Sequence, residues 1–311
     1  MFDVVPFSSA HKKSWDNFVA SAKNGTFLFM RDYMEYHADR FDDASLMFYN
    51  KGSLRAVLPA NRCGSTIDSH GGLTYGGVVT DDQMKTSAML SLFDGLANYW
   101  RQHGIERVRY KAVPYIYHRL PAEEDLYALF RVGAVLSERK ISSALPVGVR
   151  PPYSKGRKAC VKKGQHGGMT LHECEDVAPL MNLVAQNLAG RHAAQAVHSV
   201  SEMALLKRKF PHNIRVFAAF GADTMLAGAL LYETARVAHC QYIAASEQGR
   251  DWCAPDFLMD ALLQRIFADK AWFDWGTSCT DGGHLLQETL ILNKESFGGR
   301  GVCYDTYEWT L

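Results

Sequence analysis

The sequence predicts an α/β protein (α+β mixed sheets) made of two domains in tandem, residues 1–145 and 146–311. Three observations predict it. The chain has 311 residues, more than one core ordinarily serves and enough for two domains of roughly 150 residues each. Hydrophobic residues make up 47% and charged residues 22%, which excludes a disordered chain. One order of elements then occurs twice: hairpin, third strand, Gly-containing loop, helix, strand.

In the first half, Trp15 to Ala22 has helical character and Asn24-Gly25 ends it. Arg31 to Asp39 follows as a second helix. Ser45 to Tyr49 and Ser53 to Pro59 flank Asn50-Lys51-Gly52, which is hairpin chemistry. A Gly-rich stretch runs from Ser69 to Gly77. Asp82 to His103 carries Leu90, Phe93, Leu96, Ala97 and Trp100 on one side of a helix that Gly104 caps. Glu106 to Val113 reads as a strand ending at Pro114. Glu123, Glu124 and Asp125 are adjacent acids that suit the N-terminus of another helix.

In the second half, Asp176 to Leu188 and Ser201 to Lys209 read as helices. Arg215 to Phe220 and Met225 to Thr234 are strands around Gly221-Ala222-Asp223. Val237 to Ala245 is a third strand. A loop from Ser246 to Pro255 leads into an amphipathic helix, Asp256 to Lys270, with Phe257, Leu258, Ala261, Leu262 and Ile266 on its apolar side. Trp272 to Trp275 is a strand, Gly283 to Leu292 a helix, and Val302 to Trp309 a last strand. Ser142 to Gly168, rich in Pro, Gly and Lys, reads as the link between the domains.

Composition excludes several classes. Net charge is +1, so charge over the whole protein points to no polyanionic partner. Within the link, however, Arg150, Lys155, Arg157, Lys158, Lys162 and Lys163 occur with no acid between them. That run is either a solvated connector or a surface that meets phosphates. The start, Met-Phe-Asp-Val-Val-Pro-Phe, lacks the basic and apolar pattern of a secretory signal. The most apolar stretch, Met225 to Tyr232, falls short of the ~20 residues that span a bilayer. No membrane span and a cytoplasmic location are expected. The seven cysteines contain no C-x-x-C pair, so neither a disulfide framework nor a metal is expected. There is no G-x-S-x-G elbow of a serine hydrolase.

The strand–loop–helix step around Ser246 to Pro255 has the chemistry of an anion site, because unsatisfied N–H groups and the helix dipole favour phosphate oxygens. Gly249 permits close approach, Arg250 adds charge and Ala254 leaves the helix start uncrowded. The element order resembles the GNAT superfamily of acyl-CoA transferases, whose loop is Arg/Gln-x-x-Gly-x-Gly/Ala. Here Arg250-Asp251-Trp252-Cys253-Ala254 carries Cys253 where that family has Gly.

A wider resemblance, over nearly the whole chain, is to FemAB-like transferases. Its segments are Gly72-Leu73-Thr74-Tyr75-Gly76-Gly77, the stretches from Tyr110 to His118 and from Pro121 to Tyr127, Gly190-Arg191-His192, Val197-His198-Ser199, Phe273-Asp274-Trp275-Gly276, and Lys294 to Arg300. The resemblance implies a tandem GNAT-like fold and N-acyl transfer from acyl-CoA (acetyl-CoA) as co-substrate. The acceptor is a small-molecule or nucleotide-linked amine, of amino-sugar or amino-acid type, in cell-envelope or polysaccharide biosynthesis of a bacterium. Its alternatives are an aminoacyl-tRNA donor, which makes tRNA a partner, and a non-catalytic binding module on the same fold.

Transfer to an amine requires a held donor, loss of a proton and a stabilised oxyanion. Lys294 matches the family's Lys-x-x-Phe-Gly segment and is the first catalytic candidate, as a cation facing negative charge. His192 and His198, in a loop-like stretch with Arg191, are candidate bases. Glu233, at a strand end, is the third. The cofactor-binding set is Ala244, Gly249, Arg250, Cys253 and Ala254. Tyr75, Lys111, Tyr117 and His118, with Arg191, are the expected acceptor-binding residues.

Overall fold

A computed structural model describes residues 2–192 and 196–311; of these, the side chains of Arg191 and His192 are not described. Contacts divide the chain into two units. Unit 1 comprises residues 1–141, 279–285 and 303–311, and unit 2 comprises residues 142–278 and 286–302.

Unit 1 opens with β1 (Asp3–Pro6), α1 (Lys12–Ser21) and the single turn α2 (Arg31–Met34). Then come β2 (Asp42–Asp43), β3 (Leu46–Asn50), β4 (Ser53–Leu58), β5 (Asn61–Cys63), β6 (Thr66–Asp68) and β7 (Val79–Thr80). The long helix α3 (Thr86–Gln102), β8 (Arg107–Lys111), α4 (Glu124–Arg131) and the strand β9 (Val135–Pro146) follow, β9 crossing into unit 2. Lys51 (φ 50°) and Gly52 (φ 78°) both take the left-handed conformation that a tight hairpin turn between β3 and β4 requires. β1, β3, β4 and β7 pair in that order, all antiparallel. α3 buries Met89, Leu92, Phe93, Leu96 and Trp100 against Phe48, Leu58, Val108 and Tyr110. The acids 123–125 do start a helix, with Glu124 and Asp125 in its first turn.

Unit 2 continues with α5 (Lys155–His166), β10 (Thr170–Cys174), α6 (Ala178–His192), α7 (Val200–Lys209), β11 (Ile214–Gly221), β12 (Thr224–Glu233) and β13 (Val237–Ala245). Next are α8 (Glu247–Asp251), α9 (Ala254–Ala261) and β14 (Trp272–Thr277). Two short strands, β15 (Cys279–Thr280) and β16 (Leu285–Leu286), precede α10 (Glu288–Ser296) and β17 (Arg300–Thr310). Strand order in unit 2 is β10-β11-β12-β13-β14-β9. Every pair is antiparallel except β13 with β14, which α8 and α9 connect as a crossover. α9 buries Leu258, Met259 and Ala261, and a π-helical turn, Leu262–Ile266, ends it against Phe217, Phe267 and Phe273.

The structure departs from the sequence reading in several places. The segment 142–168 is no link, because it contains the end of β9 and all of α5. Ser142, Ser143, Ala144 and Leu145 are buried there, and Leu145 pairs with Phe273. The stretch 246–255 is not one loop: the Ser246 hydroxyl accepts from Gly249 N–H and starts α8. The helix expected from Gly283 begins at Glu288, because Gly282 and Gly283 hold positive φ values of 62° and 112°. Residues 303–311 of the last strand pack with unit 1, Tyr307 and Trp309 opposite Tyr110 and Val108 of β8.

Candidate active site

The site is built by two strands that part. β13 and β14 pair only from Val237↔Trp272 to His239↔Asp274, although β13 runs on to Ala245 and β14 to Thr277. Two features drive the parting. A bulge opposite Leu230 and Leu231 of β12 inserts Gln241 as an extra residue in β13 and re-aims it. On β14, Gly276 takes φ +75°, a conformation that turns the backbone and that a side chain would strain. An ideal Cβ on Gly276 would also stand 3.3 Å from the His239 ring.

Asp274 holds the vertex. Its carboxylate is fully buried and accepts from Ser142 Oγ (2.5 Å), His239 Nδ1 (2.8 Å) and Gly276 N–H (3.0 Å). A buried carboxylate is tolerable only with such partners.

Beyond the vertex lies a cavity of about 390 Å³ within unit 2. Its strand wall is Cys240, Ile243, Ala244 and Ala245, and its apolar wall is Met259, Trp275, Leu290 and Phe297. Trp275 stacks on Phe297 with centroids 6.1 Å apart and donates its indole N–H to Met259 Sδ at 3.3 Å. Three cations reach the lining: Arg157, Arg250 and Lys294. Against them stands Asp256, the one acid among the described lining residues, which pairs with Arg157. Arg157 also donates to Asn293 Oδ1 and Ser296 Oγ and lies 4.0 Å over the Phe297 ring. An apolar pocket with a few placed cations suits a ligand that is apolar at one end and carries negative charge at the other.

Lys294 is buried on α10. Its ammonium donates to the carbonyls of Gly276 (2.7 Å) and Thr277 (2.9 Å) and to Ser278 Oγ (2.8 Å). Those contacts engage all three of its protons, so at the cavity it acts as a fixed positive charge. Arg250 donates to the Ala245 carbonyl at 2.6 Å, which Asn187 Nδ2 also meets at 3.1 Å.

Of the expected residues, the structure brings Lys294, Ala244 and Arg250 to this one cavity. Gly249, Cys253 and Ala254 lie beside it in α8 and at the start of α9. Gly249 serves packing: a Cβ there would sit 1.9 Å from the Leu226 carbonyl oxygen of β12. Cys253 takes φ 59°, the conformation glycine supplies more cheaply at that position. Glu233 does not line the cavity; it pairs with Arg215 (3.0 Å) and Lys270 (2.8 Å). His198 is buried with Nδ1 2.7 Å from the Tyr242 hydroxyl and is also outside the lining. The side chains of Arg191 and His192 lie outside the described residues.

In the unit 1 group Tyr75, Tyr117 and His118 are buried and Lys111 is half-buried. Tyr75 and Tyr117 pack with centroids 4.6 Å apart, and Tyr117 Oη lies 3.0 Å from Tyr304 Oη. His118 Nε2 is 3.0 Å from the Val113 carbonyl oxygen. Lys111 ties the Gly-rich stretch by donating to the carbonyls of Gly71 (3.1 Å) and Leu73 (2.9 Å). In unit 1 the place between β7 and β8 is filled. The Tyr110 hydroxyl accepts from Val78 N–H (2.7 Å) and donates to the buried Asp125 (2.6 Å). Gly77 makes room for that ring, since a Cβ there would lie 2.6 Å from the hydroxyl.

Sequence reasoning missed Arg157 as a site residue, seeing it only within the basic run. It also missed the His239–Asp274 pair. Asp274 lies in a quoted segment, but nothing local to either residue reveals that they meet.

Comparison with known proteins agrees with this fold. Residues 153–282 match the model of the acetyltransferase (GNAT) domain family. No curated protein matches the sequence. The structure of FemX superposes with a TM-score of 0.72 at 11% identity, over 99% of this chain and 97% of that one. The C-terminal domain of a putative lysylphosphatidylglycerol synthetase from Agrobacterium fabrum gives 0.60 at 13% identity, over 97% of this chain and 92% of that one. A tandem GNAT protein from the clavulanic acid biosynthesis pathway gives 0.51 at 11%, over 99% and 98%. At such identities the likeness is one of fold. Residues 153–282 thus resemble a GNAT acetyltransferase domain, in a chain with the FemAB-like, tandem-GNAT fold.

Proposed function

We propose that unit 2 is an N-acyltransferase that moves an acyl group from acyl-CoA to the amine of an amino-sugar or amino-acid-like acceptor. The observation that carries the reading is the parting of β13 from β14 beside a cavity lined by Lys294 and Arg250. Among the described residues, backbone groups of β13 past His239 have no partner strand on that side, so an extended donor can lie along them. The acyl carbonyl then sits near the vertex, with Arg250 and Arg157 toward the donor's phosphates. The amine nitrogen bonds to the carbonyl carbon, the C–S bond breaks, and the thiolate leaves with a proton from the amine.

Lys294 contributes a fixed charge that lowers the energy of the developing oxyanion. Water is the proposed carrier of that proton from the amine to the sulfur. Among the described lining residues Asp256 is held by Arg157, and burial pushes the Cys240 thiol up to about 12. The filled opening at Tyr110 gives unit 1 no equivalent donor place. The test is calorimetry with CoA, followed by mass spectrometry of products from acetyl-CoA and a panel of amino sugars and amino acids. Absence of CoA binding would remove the reading.

One observation favours a second donor. α5 exposes Lys155, Lys158, Lys162 and Lys163 and contains no acid. Such a ridge suits the phosphates of an aminoacyl-tRNA, and salt-dependent binding of tRNA in place of CoA would select that reading.

A further inference from the structure

α5 and α9 approach closely at Gly164, where a Cβ would come within 2.9 Å of both the Cys253 carbonyl oxygen and Phe257 Cβ. On α5, Arg157 and Cys160 are three residues apart and share a face. At the start of α9, Cys253 and Asp256 do the same. The two faces meet: Arg157 pairs with Asp256, and Cys160 meets Cys253. Both Sγ atoms and a carboxylate oxygen of Asp256 lie within 4.8 Å of one another.

We infer that Cys160, Cys253 and Asp256 form a binding site for a thiophilic divalent cation of the zinc type, with a fourth position open to water. Four arguments support it. Tetrahedral zinc with two sulfurs and one oxygen places its ligand atoms roughly 3.5–4 Å apart, so the donors need only draw in slightly. Two thiolates and a carboxylate exceed the charge of a divalent ion by one, and Arg157 on Asp256 balances it while orienting the carboxylate. Cys253 occupies a strained φ of 59°, and such strain persists where the surroundings hold a residue for a purpose. Burial also suits the role, since Cys253 and Asp256 are buried and Cys160 is half-buried, leaving one side for entry. As the metal–sulfur bonds form, each thiol gives its proton to solvent. The bound ion would staple α5 to the start of α9 and fix Arg157 at the cavity. Spacing along the chain hides the site, because its donors come from two separate helices.

Cadmium is the probe, added to the full chain kept reduced with a phosphine. The wild type should show thiolate-to-cadmium charge-transfer absorption that saturates at one equivalent, with a raised thermal midpoint. Cys160→Ser and Cys253→Ser, checked for folding by circular dichroism, should each lose both effects. Asp256→Asn should keep the absorption and bind about tenfold or more weakly. Equal absorption by the wild type and the Cys160→Ser/Cys253→Ser double variant would overturn the site. So would a Cys160–Cys253 disulfide in the purified chain whose reduction yields no one-equivalent cadmium binding. That result would assign the pair to thiol oxidation.

Discussion

The ammonium of Lys294 on α10 lies 2.7 Å from the carbonyl oxygen of Gly276 on β14, so the candidate catalytic cation and the end of the parting strand are one hydrogen-bonded unit. Gly276 N–H in turn donates to Asp274, which His239 and Ser142 hold. Charge at the cavity and the shape of the strand vertex are therefore coupled.

Lys294→Met should act on rate and stability together. Loss of a preorganised charge that matters mainly in the transition state lowers kcat by ~10²–10³ with little change in KM. The same change leaves the Gly276 and Thr277 carbonyls without their donor, at a cost of about 1–3 kcal/mol. Steady-state kinetics at a temperature well below the variant's own melting point separates the two. A folded variant with unchanged kcat would reduce Lys294 to a brace for β14.

Gly249→Ala should destabilise unit 2 by about 1–3 kcal/mol, because the new Cβ would stand 1.9 Å from the Leu226 carbonyl oxygen and α8 must lift off β12. Urea denaturation measures it. A variant as stable as the wild type would show that α8 docks more loosely than the structure depicts.

Much of the fold was legible where local chemistry decides it. Asn50-Lys51-Gly52 and Gly221-Ala222-Asp223 mark their hairpins through turn residues, and Lys51 and Ala222 take positive φ in the structure. The apolar faces of α3 and α9 show through helical spacing. β9 was hidden because its buried end begins Ser142-Ser143, residues that read as loop until Asp274 supplies the partner for Ser142. α5 was hidden because its buried face is only Val161 and Gly164 within a run of lysines. In the site, Arg250 and Lys294 were legible as cations in family-like segments. Arg157, His239 and Asp274 were not, since each matters through a partner far along the chain.

Asp125 should give unit 1 a distinctive pH response. Burial pushes its carboxyl up to about 6, against the lowering effect of hydrogen bonds from Tyr110 and Leu126. Its unfolded value is near 3.8. Between these values the folded chain holds the extra proton. The group's contribution to stability is therefore full below about 4 and is lost as pH rises through about 6. The loss is of the order of 2–3 kcal/mol by pH 7. Asp125→Asn keeps an acceptor for Tyr110 and should abolish that slope. Urea unfolding of both proteins across this range checks it, and parallel curves would show that the carboxyl titrates normally.

Arg250→Ala should show the reverse pattern to Lys294→Met, a large effect on donor binding with little on stability. The Ala245 carbonyl that Arg250 meets at 2.6 Å is also met by Asn187 at 3.1 Å, so removing the guanidinium leaves no orphaned acceptor. Its remaining consequence is the loss of one of the three cations among the described lining residues. A charge-assisted contact to a donor phosphate is worth roughly 1–3 kcal/mol, so CoA affinity should fall by between about 5-fold and 150-fold. Arg250→Lys, which keeps the charge without the planar fork, should recover part of that loss. Calorimetry with CoA on the three proteins decides it. Equal affinity throughout would move the donor phosphates away from α8, toward Arg157 and the lysines of α5.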